Sequence, residues 1–210
     1  MAPDFARIFL LSPARIGGPR STLLLRPEAE FDLAIRLRQG QTTIGEAYEF
    51  ISGLYFRGKL AYAREFAAPP EGLPGSLVMV PGLGLISPDA PTDREQLLRT
   101  GGVAVDESNE AFRVPLLRDA ELLNARAGPD CQYILLGSIA SPKYTEPLMG
   151  VFGERLLFPA DFVGRGDMSR GGLMRRCVGD REELAYLKLS GATRSGKRVP
   201  RLEPLPRRIR

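Results

Sequence analysis

The segment from residue 158 to residue 177, FPADFVGRGDMSRGGLMRRC, combines two carboxylates with four arginines and four glycines. Asp161 and Asp167 are candidate acids or bases, because the pKa of a carboxylate is readily tuned toward neutrality. Arg165 and Arg170 flank Asp167 and would hold it ionised. An ionised carboxylate can activate water or stabilise positive charge at a sugar carbon during glycosidic cleavage. Alternatively, Asp167 caps a turn or pairs with one of these arginines.

The chain contains no histidine, which excludes Ser-His-Asp and Cys-His catalysis and the common histidine-containing metal sites. Carboxylates therefore carry the acid-base hypothesis, with Asp89 as a third candidate. The two cysteines, Cys131 and Cys177, lack CxxC spacing and adjoin apolar segments. This context is typical of reduced, buried thiols. We therefore expect no disulfide, no metal site and no cofactor.

Short apolar runs that alternate with helical patterns indicate how the chain positions these residues. The predicted strands are residues 7–12, 76–81, 131–139 and 154–160. The predicted helices are residues 27–40, 45–67 with a break near Ser52 and Gly53, 92–98, 115–127 and 147–154. Because parallel neighbours need crossover connections, this alternation predicts a three-layer α/β fold. Its open sheet is mostly parallel and carries helices on both faces.

The C-terminal part of the sequence leaves two structures open. Residues 172–178, GLMRRCV, and residues 184–189, LAYLKL, could form an antiparallel hairpin at the sheet edge, or residues 168–177 could form a short helix. Residues 1–190 are predicted to form a single domain. Residues 191–210 carry seven basic residues and three prolines, a composition that predicts a flexible tail.

Glycines, serines and cationic residues recur in the loops that follow the predicted strands. The carboxyl ends of parallel strands meet at one edge of a sheet, where ligands bind. The candidate ligand-binding residues are Ser12, Arg15, Gly17, Gly18 and Arg20 after the first strand, Ser138, Ser141, Lys143 and Tyr144 after the third, and Arg165, Ser169, Arg170 and Gly171 after the fourth. Together they predict an anion pocket. The alternative is that each set is ordinary turn and surface composition.

Several patterns narrow the chemistry of this pocket. The loops match neither GxxxxGK[ST] nor GxGxxG after the first strand, which disfavours a P-loop NTPase or a dinucleotide enzyme. Lys143 could grip a phosphate while Tyr144 stacks on a base, or the two could be a solvated lysine and a packed tyrosine. Lys59 lies at helical spacing from Tyr55 and Tyr62, a geometry that could build an amphipathic platform, although aromatic residues at this spacing are more often core.

Four segments, FLLSPARIGG, GLYFRGKLAYA, LLGSIASPKY and LLFPADFVGRGDMSRGG, resemble a family of uncharacterised bacterial proteins. Over roughly residues 45–160, the order of SGLYFRGKLAYA, PGLGLISPD and SPKYTEPL also resembles small α/β domains related to the uracil-DNA-glycosylase fold. The resemblance implies a pocket at the strand ends that handles a nucleobase or nucleotide. The catalytic histidine of those glycosylases has no counterpart in this chain, so no catalytic residue is carried over.

The leading hypothesis is an α/β protein that binds a nucleotide or nucleic-acid phosphate and cleaves a glycosidic or phosphate bond through Asp161 or Asp167. The alternative is a non-catalytic nucleic-acid binding or accessory protein that uses the same arginines and the basic tail. A third hypothesis is an enzyme with a small carboxylate substrate. The formal charge of +4 suits a phosphate-bearing partner. No apolar run approaches the roughly 18 residues of a membrane span, so we expect a soluble cytoplasmic protein.

Overall fold

The computed structural model describes residues 5–200 and residue 202. Its strands are β1 (Arg7–Leu11), β2 (Thr42–Thr43), β3 (Ser76–Val80), β4 (Gly84–Ile86), β5 (Pro91–Thr92), β6 (Gln132–Leu136), β7 (Leu156–Pro159) and β8 (Tyr186–Lys188). Its α-helices are α1 (Pro19–Leu25), α2 (Asp32–Arg38), α3 (Ile44–Ser52), α4 (Leu54–Phe66), α5 (Arg94–Gly101), α6 (Glu110–Ala127), α7 (Pro142–Phe152) and α8 (Asp167–Asp180). Two 3-10 turns, Gly153–Arg155 and Ala160–Phe162, flank β7.

Six strands form one mixed sheet in the order β4-β3-β1-β6-β7-β8. The four central strands are parallel, while β4 and β8 pair antiparallel at the two edges. The central strands are the four that the sequence predicts, and their side chains are buried almost throughout. Strands covered on both faces need such continuous apolar runs. Strands β2 and β5 form a separate two-stranded sheet.

Helices cover both faces of the sheet, so the predicted three-layer α/β fold is confirmed. Phe9 of β1 packs edge-on against Tyr62 of α4, with ring centroids 5.7 Å apart. Tyr133 of β6 stacks on Phe152 of α7, with centroids 3.8 Å apart. Because Tyr133 pairs in register with Ile8, the neighbour of Phe9, these aromatic pairs lie on opposite faces. Accordingly α4 packs with α8 in one layer, and α6 packs with α7 in the other.

The helical segment before β3 breaks where the sequence predicts. Thr43 and Glu46 form a capping box at the start of α3, in which each side chain accepts from the other residue's backbone N–H. Gly53 then adopts a φ of 62°, which favours glycine, and separates α3 from α4. The turn at Gly53 lets α4 run beside α8. The two helices approach so closely that a Cβ on Gly58 would lie 2.6 Å from the Gly171 carbonyl oxygen.

The structure corrects the predicted C-terminal hairpin. GLMRRCV lies inside α8, so the helical alternative is the correct one for this segment. LAYLKL does contain a strand, β8, and the antiparallel pair at this edge is β7 with β8. Met174 and Cys177 are buried while Arg175 is exposed, which is the three-residue spacing of a helix and not the alternation of a strand.

Other boundaries also differ from the predictions. Pro115 lies inside α6, which begins at Glu110 with Asn109 as its N-cap, rather than at a helix start. Helix α7 begins at Pro142, five residues before the predicted start. Helix α1 and strand β4 lie in segments interpreted as loops. No helix within the described residues is long and apolar enough to cross a membrane.

The described part of the predicted tail contacts the domain. The Val199 backbone N–H donates to the Gly164 carbonyl at 3.2 Å, and Arg194 donates to the Thr145 hydroxyl at 3.2 Å. Residue 201 and residues 203–210, which belong to the same predicted tail, lie outside the described residues. The two cysteines are both buried free thiols.

Candidate functional site

A cavity of about 600 Å³ opens at the carboxyl ends of β1, β3 and β6; we call it the strand-end cavity. Its lining residues are Ser12, Pro13, Ala14, Arg15, Ile16, Tyr48, Ser52, Tyr55, Pro81, Thr100, Gly101, Val103, Ala104, Val105, Ser138, Lys143, Tyr144 and Asp167. They come from the loops after three parallel strands and from the ends of α3, α4, α5, α7 and α8. The cavity therefore lies where the open-sheet rule expects a ligand.

The position of the cavity follows from the order of the strands. From β1 the chain crosses to β3 on one side, and from β6 it crosses to β7 on the other side. The loops after β1 and β6 consequently diverge and leave a crevice between them. Ser12 and Ser138 stand at the two sides of this crevice, immediately after β1 and shortly after β6.

Two cationic side chains lie at the rim of the strand-end cavity. Arg15 is exposed and Lys143 is half-buried. Among the ion pairs of the described residues, none involves either side chain. The Lys143 ammonium lies 5.3 Å from the centroid of the Tyr144 ring. Both cations are thus available to an anionic group that enters the cavity.

Three buried tyrosines, Tyr48, Tyr55 and Tyr144, wall the interior of the cavity. Burial raises the pKa of each hydroxyl, and raises that of Tyr55 to about 12, so all three stay protonated at neutral pH. Within the described residues, the Tyr48 and Tyr55 hydroxyls have no hydrogen-bond partner. Buried hydroxyls normally have one. Both hydroxyl oxygens are themselves buried, with Thr100 near that of Tyr48 and Arg170 near that of Tyr55, so they lie behind the cavity surface.

Lys59 of α4 lies directly behind Ser12 and is only 1% exposed. Its Nζ donates to the Ser12 carbonyl oxygen at 2.5 Å and lies 2.8 Å from Ser12 Oγ. The ammonium also lies against the rings of Tyr55 and Phe56, 4.5 and 4.9 Å from their centroids. Desolvation lowers the pKa of Lys59 to about 7, although the charge of Asp167 opposes this shift.

The two predicted catalytic carboxylates are not brought together. Asp167 is the first residue of α8, is exposed and lines the cavity, with its carboxylate 3.9 Å from Arg170 Nη1. Asp161 lies in the 3-10 turn after β7, is exposed and does not line the cavity. Asp89, the third candidate, pairs with Arg64 at 2.6 Å at the surface and is also outside the cavity.

The predicted residues after β7 have several different environments. Arg170 is buried, and its guanidinium donates to the carbonyl oxygens of Phe162 and Gly137, so it joins α8 to the loops after β7 and β6. Arg165 donates to Ser169 Oγ at 3.3 Å, outside the strand-end cavity. Gly171 allows the close approach of α8 to α4.

Four other predicted ligand-binding residues lie around the first turns of α1 and α7, outside the cavity lining. The Gly17 N–H donates to the Ser21 hydroxyl at 2.8 Å, and Gly18 is the N-cap of α1. The Arg20 side chain reaches the Phe50 carbonyl at 3.5 Å. Ser141 is the N-cap of α7. These residues build the helix starts that shape the loops.

A second cavity of about 880 Å³ lies beside α8, and we call it the arginine groove. Its cationic residues are Arg165, Arg175, Arg176 and Arg198, and its apolar residues include Leu54, Met168, Val199 and Leu202. Asp167 lines both the groove and the strand-end cavity. The groove is therefore a basic surface that adjoins the mouth of the cavity.

Sequence reasoning missed most of the cavity wall. Tyr48, Tyr55 and the segment 103–105 come from helices and loops far along the chain from the strand-end loops. For Lys59, a signal existed: a lysine on the apolar face of a helix is seldom fully buried without a function or partner. Its spacing from Tyr55 and Tyr62 predicted core aromatic residues on this helix and gave no role to the lysine itself.

Comparisons with protein-family models, with curated proteins and with solved structures gave no match for this chain. Among residues 5–200 and 202, no group of three or more Cys, Asp or Glu side chains is arranged to hold a metal ion. Assignment of function therefore rests on the geometry of the strand-end cavity.

Proposed function

We propose that the strand-end cavity binds a nucleotide or the end of a nucleic acid, with the phosphate at the rim and the base inside. The observation that carries this proposal is the pairing of two available cations, Arg15 and Lys143, with an interior walled by tyrosines. Guanidinium and ammonium groups are good phosphate donors, and aromatic rings stack on bases. A volume of about 600 Å³ is ordinary for such ligands.

The interior of the cavity suits the polar edge of a base. Ser12 and Ser138 place hydroxyl groups in the wall of the cavity. A base edge presents both donors and acceptors, and a hydroxyl can serve either.

If the ligand is cleaved, we assign the acid-base role to Asp167 rather than Asp161, because only Asp167 lines the cavity. An exposed aspartate is ionised at neutral pH. It could then activate water or stabilise positive charge that develops at a sugar carbon. The proposed activity is hydrolysis of a glycosidic or phosphate bond in a nucleotide-like substrate, which fits the expected cytoplasmic location.

A relationship to the uracil-DNA-glycosylase fold remains part of this proposal. It is supported by a cavity beyond the carboxyl ends of parallel strands, where the resemblance implies a nucleobase pocket. Because the chain has no histidine, its chemistry would differ from that of the histidine-dependent glycosylases.

A second candidate function is nucleic-acid binding without catalysis. The observation that favours it is the arginine groove, whose four guanidinium groups adjoin the mouth of the strand-end cavity. A nucleic-acid backbone could follow the groove while its terminal nucleotide enters the cavity. Such binding would weaken steeply with salt, because each phosphate contact releases counterions.

Calorimetric titration with nucleoside monophosphates, inorganic phosphate, succinate and a single-stranded oligonucleotide tests these functions. We expect Arg15→Ala and Lys143→Ala each to weaken binding of a monophosphate about tenfold to hundredfold, because each removes a charge-assisted hydrogen bond. Arg126→Ala is the matched control, since Arg126 is an exposed arginine on α6 outside the cavity. It should bind like the wild type.

The outcomes separate the candidates. A monophosphate that binds wild type and both rim variants equally would refute the proposed site. Oligonucleotide binding that survives Arg15→Ala but is lost when Arg175 and Arg176 are both replaced by alanine would favour the second function. If turnover is found, Asp167→Asn should slow it at least about hundredfold, while Asp161→Asn should not.

A further inference from the structure

Ser12 and Lys59 form a hydrogen-bonded pair whose serine lines the strand-end cavity. Ser12 is the residue that follows β1, is 6% exposed and contributes to the cavity wall. Lys59 lies behind it, fully enclosed, with its Nζ 2.8 Å from Ser12 Oγ. A serine hydroxyl within hydrogen-bond reach of a basic nitrogen is the arrangement that activates a nucleophile.

The second contact of Lys59 orients the amine. The Ser12 carbonyl oxygen accepts a hydrogen bond from Nζ at 2.5 Å, which commits one N–H to the backbone. In the neutral amine, the nitrogen lone pair can then accept the proton of the Ser12 hydroxyl. The adjoining rings of Tyr55 and Phe56 keep water away from the ammonium. The pair is therefore fixed on two sides before a substrate arrives.

The surroundings of Lys59 favour the neutral amine near neutral pH. Within the described residues, Lys59 has no ion-pair partner. The facing groups are Asp167 of α8, Tyr55 of its own helix and the Ser12 hydroxyl, and the negative charge of Asp167 opposes deprotonation. Desolvation outweighs that charge and lowers the pKa of Lys59 to about 7. A base with this pKa is half neutral at the working pH of most enzymes.

We propose that Ser12 is a nucleophile activated by Lys59, and that the strand-end cavity accepts an ester whose other end carries a phosphate or a carboxylate. The rim cations Arg15 and Lys143 would hold that anionic end, so the substrate class rests on the proposed anion site, whereas the activation of Ser12 does not.

The reaction needs no reagent other than water. Ser12 Oγ bonds to the carbonyl carbon while Lys59 Nζ takes the hydroxyl proton. The bond from that carbon to the leaving oxygen then breaks, and Lys59 returns the proton to the leaving alcohol. Water attacks the acyl-serine after Lys59 accepts its proton, and Ser12 Oγ leaves with the proton that Lys59 gives back. The net products are one acid and one alcohol.

Labelling with a fluorophosphonate, followed by mass spectrometry of the intact chain and its peptides, tests the nucleophile. We expect one adduct on Ser12 whose rate of formation rises with pH with a midpoint near 7, set by Lys59. Ser12→Ala should abolish the adduct, and Lys59→Met should slow it at least about hundredfold. Lys59→Arg should also be slow, because a guanidinium cannot act as a base at this pH.

Ser76→Ala is the matched control for this experiment. Ser76 is 8% exposed and is the first residue of β3. It therefore lies at the amino end of that strand, whereas the cavity lies at the carboxyl ends of the strands. Its replacement should leave labelling unchanged. If a Lys59 variant fails to fold, the pH profile of wild-type labelling and the result for Ser12→Ala still test the inference. Absence of an adduct on Ser12, or a rate that Lys59→Met does not change, would overturn the inference.

The labelling result is independent of the proposed ligand. A chain that binds a monophosphate through Arg15 and Lys143 but gives no adduct on Ser12 would retain the anion site and lose the nucleophile. A chain that is labelled on Ser12 but binds no anionic ligand would retain the nucleophile and lose the substrate class.

Discussion

Replacing Lys59 with methionine should remove a large part of the pH dependence of stability between pH 7 and pH 9. The pKa of Lys59 is lowered from 10.5 to about 7 in the folded chain, so the unfolded chain binds more protons throughout this window. Because the unfolded chain holds this extra proton on Lys59 between pH 7 and pH 9, the unfolding free energy rises with pH in that window. Methionine has a similar length and no charge, so the variant lacks this contribution.

The size of the effect follows from the two pKa values. A shift of one pKa unit corresponds to about 1.4 kcal/mol, and Lys59 is half protonated near pH 7 in the folded chain. Between pH 7 and pH 9 the wild type should gain about 2 kcal/mol of unfolding free energy from this side chain alone. The variant also loses the hydrogen bond to the buried Ser12 carbonyl, which costs about 1 to 3 kcal/mol at every pH.

Urea unfolding at pH 6, 7, 8 and 9 measures both contributions. We expect the difference in unfolding free energy, wild type minus Lys59→Met, to rise by about 2 kcal/mol between pH 7 and pH 9, because the hydrogen-bond contribution is the same at every pH. Lys188→Met is the control, because Lys188 is exposed on β8 and its ion pair with Glu154 is at the surface. Identical pH slopes for wild type and Lys59→Met would show that Lys59 keeps an ordinary pKa, and the reasoning would fail.

Two further predictions concern α8. Gly171→Ala should destabilise the chain by about 1 to 3 kcal/mol in urea unfolding, because the added Cβ would lie 2.8 Å from the backbone of α4. A Cβ at Gly179 would meet open space, so the control Gly179→Ala should be neutral or stabilising. Equal effects at the two glycines would contradict the close helix approach. Arg170→Ala should lower the thermal unfolding midpoint by several degrees because two buried carbonyl oxygens lose their donor. Arg175→Ala, at an exposed position on α8, should change the midpoint by no more than about one degree, and an equally large change there would refute the structural role of Arg170.

The four parallel strands of the central sheet could be predicted because each is a short, continuous apolar run. Such runs, when turn residues bound them, are typical of strands covered on both faces. The break at Gly53 was predictable for a similar local reason, since glycine favours the positive φ found there. Because the predicted strands are parallel, the loops that follow them meet at the same side of the sheet. This expectation came from the arrangement of the strands and not from the sequence of any one loop.

The segment 167–180 could not be assigned because its local signals conflict. Its glycines argue against a helix interior, yet Gly171 is the residue that lets α8 pack against α4. The benefit of that contact comes from a helix more than a hundred residues earlier in the chain. Local propensity cannot register it, so the sequence favoured the hairpin and left the short helix as the alternative.

The roles of the charged residues also depended on the fold. Arg165 and Arg170 have the same side chain and lie five residues apart, but Arg170 is buried against carbonyl oxygens while Arg165 reaches Ser169 beside the groove. The aromatic residues at helical spacing from Lys59 were predicted to be core, and Tyr55 and Tyr62 are buried, as is Lys59 itself. Its place behind Ser12 depends on how α4 docks on β1, which spacing alone does not specify.

The sequence by itself determined the strands, their alternation with helices, the absence of histidine chemistry and the edge of the sheet where a ligand site belongs. Each of these depends on residue type or on neighbours close in the chain. The tertiary structure alone decided which carboxylate lines the cavity, which arginine is used internally and that Lys59 meets Ser12. Those outcomes depend on contacts between distant segments, such as Lys59 with Ser12, 47 positions apart, and Arg170 with Gly137, 33 positions apart, and such contacts exist only after the layers pack.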